Sequence, residues 1–135
     1  MPTLSAFTFG TRIHAPVSTA RERVEAALKA EGFGVLTEID VQATMKARLG
    51  IDVAPYVILG ACNPPLAHRA LEADPSVGAL LPCNVVLRDD GGETIVEAID
   101  PLSMLGIVDH PAIRSVATEA RERLQRAIAA VETGA

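Results

Sequence analysis

Apolar and polar positions follow two alternating periods along this chain. Phe7, Phe9 and Ile13 fall on one side of a period-two pattern, which predicts an opening strand from Phe7 to His14. The period then lengthens: Val17, Ala20, Val24, Ala27 and Leu28 recur at helical spacing, with Arg21 and Glu25 as an exposed pair. Thr19 to Glu22 has the form of a capping box for that helix, and Gly32 ends it. Phe33 to Ile39 reads as a second strand. Asp40 then caps a short helix carrying Val41, Met45 and Leu49, stopped by Gly50.

Tyr56 to Ala61 is almost continuously apolar, the pattern of a strand covered on both faces. Asn63 has the form of an N-cap, with Pro64 at the first helical position, where its missing N–H costs nothing. That helix runs through Leu66, Ala70 and Leu71 to Asp74-Pro75. Strands from Leu81 to Arg88 and from Glu93 to Ile99 flank the turn Asp89-Asp90-Gly91-Gly92, a hairpin with a four-residue loop. Asp100-Pro101 breaks the pattern, with Asp100 as the acceptor that shapes the turn. Pro111 opens a long helix whose apolar face is Ile113, Val116, Ala117, Ala120, Leu124, Ala127, Ile128 and Val131. Glu119–Arg123 and Glu122–Arg126 decorate its other side. The element order is β-α-β-α-β-α-β-β-α, with at least one antiparallel pair, and residues 1–135 read as a single domain.

Composition narrows the function classes. The hydrophobic fraction of 49% is high, yet Phe7, Phe9, Phe33 and Tyr56 are the only aromatic residues, so the core must be aliphatic. The surplus of aliphatic side chains predicts a homodimer. A net charge of −5 without a basic stripe argues against nucleic acid. No apolar run approaches the length of a membrane span. Met1 to Ser5 lacks the basic and apolar regions of a leader, and two cysteines are too few for a disulfide framework. The expected location is cytoplasmic.

Chemistry concentrates in a repeated dipeptide. The two cysteines stand in Ala61-Cys62-Asn63-Pro64 and Pro82-Cys83-Asn84-Val85. Cys62 ends one strand and Cys83 begins the next, so antiparallel pairing would make them neighbours. A helix starting just after Cys62 would favour its thiolate, and Asn63 and Asn84 could donate to an anion. The competing expectation is burial, because free cysteine packs as a small hydrophobe. Tyr56 and Lys46 could border a pocket, but the stronger expectation for Tyr56 is a strand core residue with its hydroxyl satisfied. His14, His68 and His110 show no zinc spacing, and His68 is expected to be a solvated helix residue. No nucleophile elbow, phosphate loop or dinucleotide fingerprint is present.

The stretches Tyr56-Val57-Ile58-Leu59-Gly60-Ala61-Cys62-Asn63-Pro64 and Leu81-Pro82-Cys83-Asn84-Val85-Val86-Leu87, followed by Asp100-Pro101 and Met104, resemble the DUF302 domain family. The resemblance runs from about Arg12 into the last helix. It implies a TATA-binding-protein-like α+β fold, with a curved, mainly antiparallel five-stranded sheet, a long C-terminal helix and a homodimeric assembly. It transfers no catalytic residue, and it does not carry DNA binding with it.

Three functions compete. The first is a homodimeric binding module in which Cys62, Asn63, Cys83, Asn84 and Tyr56 orient a small molecule or a soft metal ion. The second is a structural dimer with buried cysteines. The third is a thiol or sulfur-transfer protein using Cys62 as nucleophile and Cys83 as its partner, which lacks an evident general base. A non-enzymatic role ranks above an enzymatic one, and the cofactor is unknown.

Overall fold

A computed structural model describes residues 5–132. The stretch Met1 to Leu4, read above for a leader, lies outside the described residues. The chain runs β1 (Thr8–Ile13), α1 (Val17–Ala30), β2 (Gly34–Asp40), α2 (Val41–Leu49), β3 (Tyr56–Cys62) and α3 (Pro64–Ala73). A 3-10 segment (Pro75–Leu80) leads to β4 (Cys83–Asp90), β5 (Glu93–Ile99), α4 (Pro101–Leu105) and α5 (Pro111–Glu132). The five strands form one sheet in the order β1-β5-β4-β3-β2, and every neighbouring pair is antiparallel. The α+β expectation holds.

Strand alternation divides the sheet into two unlike faces. Phe9, Leu59, Ala61, Cys83, Val85, Leu87, Val96 and Ala98 point to the face where α1 and α5 pack. Ala20, Val24 and Leu28 of α1 meet Leu124, Ala127, Ile128 and Val131 of α5 there. The first half of α5 serves a second cluster, in which Ile113, Val116, Ala117 and Ala120 pack with Leu66 and Ala70 of α3, Val77, and Leu105 of α4. All eight apolar positions read from the sequence of α5 are buried. Each fully buried Leu or Ile contributes about 1.5–3 kcal/mol over leaving it exposed, so this helix ties the two clusters together.

Several local expectations change. α1 begins at Val17 behind Pro16, with no side-chain cap, so Thr19 is inside the first turn and is not the N-cap. The capping-box pattern was outweighed by Pro16, whose extended backbone already turns the chain into the helix. The hairpin loop has two residues: Asp89 and Asp90 stay in the ladder opposite Thr94 and Glu93. Gly91 and Gly92 both adopt positive φ, 66° and 91°, as a tight primed turn requires. Asp100 does more than shape a turn, since its carboxylate accepts from Leu102 N at 3.0 Å and starts the short helix α4. Arg121 Nε donates to the same carboxylate at 3.1 Å and ties α4 to α5. Arg126 pairs with Glu31 of the α1–β2 turn, while Glu119–Arg123 forms as expected.

β3 is not covered on both faces. Leu59 and Ala61 are buried, while Tyr56 and Ile58 remain half-exposed on the opposite side. Gly60 shares that side, and a Cβ there would collide with Thr37 Oγ1 and approach Pro82 Cγ to 2.9 Å. Only glycine lets these two neighbours close over the strand. α2 buries none of its residues, and Gly50 ends it in the left-handed conformation.

Candidate functional site

The antiparallel ladder between β3 and β4 sets Ala61 opposite Cys83, so the two cysteines are neighbours. Both line one small cavity beneath α3 and α5, together with Asn63, Phe33 and Leu66. Its volume is about 30 Å3. That is room for about one or two waters, far below the several hundred Å3 of a ligand pocket.

The thiols are not activated. Burial pushes the Cys83 thiol from an ordinary 9.0 up to about 11, and the neighbouring Cys62 adds to the shift. Burial also raises the Cys62 thiol. The α3 N-terminus favours a thiolate in principle, but removal from water outweighs it. Asn63 is buried and spent on architecture: its Oδ1 accepts from Leu66 N at 3.4 Å as the α3 cap, and its Nδ2 donates to Glu31 O at 3.4 Å. Arg123 Nη1 reaches the same carbonyl at 3.3 Å. Among the described residues, no three His, Cys, Asp or Glu side chains gather as a metal site would require. His68 is exposed and lies beside Glu72. No helix among the described residues is long and apolar enough to cross a membrane.

The larger concavity lies on the other face of the sheet. It encloses about 690 Å3. Phe7, Leu80, Leu81, Val86, Ile99 and Met104 supply apolar walls, and Tyr56, Asn84, Arg88 and Glu97 supply polar groups. The 3-10 segment and the cis Leu81–Pro82 peptide form one rim. Tyr56 faces Arg88 directly across the β3–β4 ladder. Arg88 Nε donates to Glu97 Oε1 at 2.9 Å, and Thr8 Oγ1 donates to Glu97 Oε2 at 3.0 Å. The Tyr56 hydroxyl, expected to be satisfied in a core, has no hydrogen-bond partner among the described residues.

The five residues singled out from the sequence are therefore split between faces. Cys62, Asn63 and Cys83 share the small cavity, while Asn84 and Tyr56 line the large one. Arg88 and Glu97 were missed. The signal was the period-two spacing of Asn84, Val86 and Arg88 against Ile95, Glu97 and Ile99, which places a charge pair beside Val86, Ile95 and Ile99 on one face.

Comparison with known proteins agrees with this architecture. A crystal structure described as that of an uncharacterized conserved protein DUF302 from Bacillus stearothermophilus superimposes with a TM-score of 0.85 and 31% sequence identity. The match covers 93% of this chain and 98% of that one. No curated protein matches the sequence. The family described as a domain of unknown function, DUF302, matches residues 9–131, so nearly every element above falls within it, and the chain belongs to the DUF302 family.

Proposed function

We propose that this protein is a small-molecule-binding module whose ligand sits on the sheet face opposite α1 and α5. The observation that carries the reading is the concavity of about 690 Å3, with mostly apolar walls and a few polar groups on adjacent strands. Size and lining both match the usual form of a ligand pocket. Asn84 and Tyr56 take part, and Cys62, Asn63 and Cys83 support the site from behind by fixing the β3–α3 junction. A soft-metal or thiol-transfer role draws no support from a buried Cys83 thiol and a half-buried Cys62 thiol that burial holds above their ordinary values. The free cysteines suit a cytoplasmic setting. Exposed Leu36, Ile39, Leu49 and Ile51 around the edge strand β2 and the end of α2 give a homodimer an apolar patch to bury.

The test is a small-molecule screen read by amide chemical shifts. Hits should move Asn84, Val86, Arg88 and Glu97. Hits confined to the Cys62 and Cys83 amides, or none at all, would overturn the reading.

A further inference from the structure

We propose that the ligand of this face is an amphipathic carboxylate, its apolar body on Phe7, Leu80, Ile99 and Met104 and its head group on Arg88. The proposal rests on the pocket reading above and adds the chemical class of the ligand.

The argument comes from which polar groups are already engaged. The pocket's charged acceptor is Glu97, and both of its oxygens are taken, one by Arg88 Nε and the other by Thr8 Oγ1. Its side chain is only 15% exposed and its charge is already paired with Arg88, which makes it a poor partner for a cationic ligand. The donors are in the opposite condition. A guanidinium carries five N–H groups in a fixed fork. The single bond through Nε leaves both Nη groups of Arg88 without a partner among the described residues. The Tyr56 hydroxyl stands on the directly opposed residue of β3 and is also unengaged among them. The Asn84 amide adds further donors on the same face.

A site with an open guanidinium fork and a paired, poorly exposed carboxylate favours a ligand that brings acceptors. Glu97 orients the arginine by fixing Nε, and the remaining fork fits a planar carboxylate. The surrounding apolar walls require the rest of the ligand to be hydrocarbon. One carboxylate accepting from Arg88, with the Tyr56 hydroxyl at its side, satisfies the pocket.

The experiment compares octanoate, 1-octanol and octylamine as probes by calorimetric or NMR titration of the intact protein, with circular dichroism on each variant. Octanoate should bind about tenfold more tightly than 1-octanol, as expected of a hydrogen bond to a charged group, and octylamine should bind most weakly. Arg88→Gln should bring octanoate down to the affinity of 1-octanol without changing 1-octanol itself. If that variant does not fold, Tyr56→Phe provides the second reading, with octanoate weakened several-fold and 1-octanol unaffected. Equal binding of octanoate and 1-octanol would overturn the carboxylate assignment and leave the pocket standing. A preference for octanoate that survives Arg88→Gln would overturn the role of Arg88. Failure of all three probes to bind at millimolar concentration would overturn the pocket reading itself.

Discussion

Asn63 holds the backbone carbonyl of Glu31 from across the fold, its Nδ2 3.4 Å from an oxygen that Arg123 also reaches. One side chain thereby starts α3 and secures the turn between α1 and β2. Asn63→Ala should lower stability by about 1–2 kcal/mol, the range for loss of a cap with a buried partner. Asn63→Ser keeps a capping acceptor for Leu66 N but is too short to reach Glu31 O, so it should fall between wild type and alanine. Urea unfolding at neutral pH measures both.

The cysteines predict an alkaline loss of stability. The Cys83 thiol sits at about 11 in the folded protein against an ordinary 9.0, so the folded state keeps its proton after the unfolded chain has lost it. The contribution is complete below pH 9 and is lost as pH rises toward 11, amounting to about 2–3 kcal/mol. Urea midpoints measured across this window should fall in the wild type and fall less in Cys83→Ala. By the same logic, both thiols should alkylate slowly at neutral pH, Cys62 ahead of the more buried Cys83.

Gly60 is a steric gate. A side chain there meets Thr37 Oγ1 and the Pro82 ring, so Gly60→Ala should cost about 1–3 kcal/mol. Thr37→Ala removes the nearer atom, and the double variant should recover part of the loss. A double-mutant cycle in which the two costs simply add would sink this account.

The helices should differ in local opening. α2 buries no residue and α5 buries eight, so amides of α2 should exchange with solvent far sooner than those in the middle of α5. Native-state hydrogen exchange distinguishes them directly. Equal protection in the two helices would show that α2 is held by something other than its contacts with β2 and β3.

Residues with a local signature were legible. Asn63 with Pro64, Gly50 and the eight apolar positions of α5 each announce their structure within a few neighbours. Antiparallel placement of the cysteine motifs also followed from chain order. Tertiary information was not legible. Tyr56 to Cys62 carries apolar residues toward both faces, and nothing local says that only one is covered by α1 and α5. A loop of four in place of two slides Arg88 from Ile95 to Glu93, which hides its contact with Glu97. The thiol environment depends on burial by α3 and α5, so the helix-terminus argument for Cys62 pointed the wrong way.

The two-faced sheet separates what may vary from what must stay. Leu59, Val85 and Leu87 answer to the helices, and changing them disturbs the fold. Val86 alternates with such residues along β4 and lines the concavity on the face the helices leave open. A substitution at Val86 leaves the helical core untouched and should cost little stability, whereas Arg88 also holds Glu97 and is less free to change. On the proposed reading, the same backbone serves relatives with different ligands, diverging at positions such as Val86 while their cores stay alike.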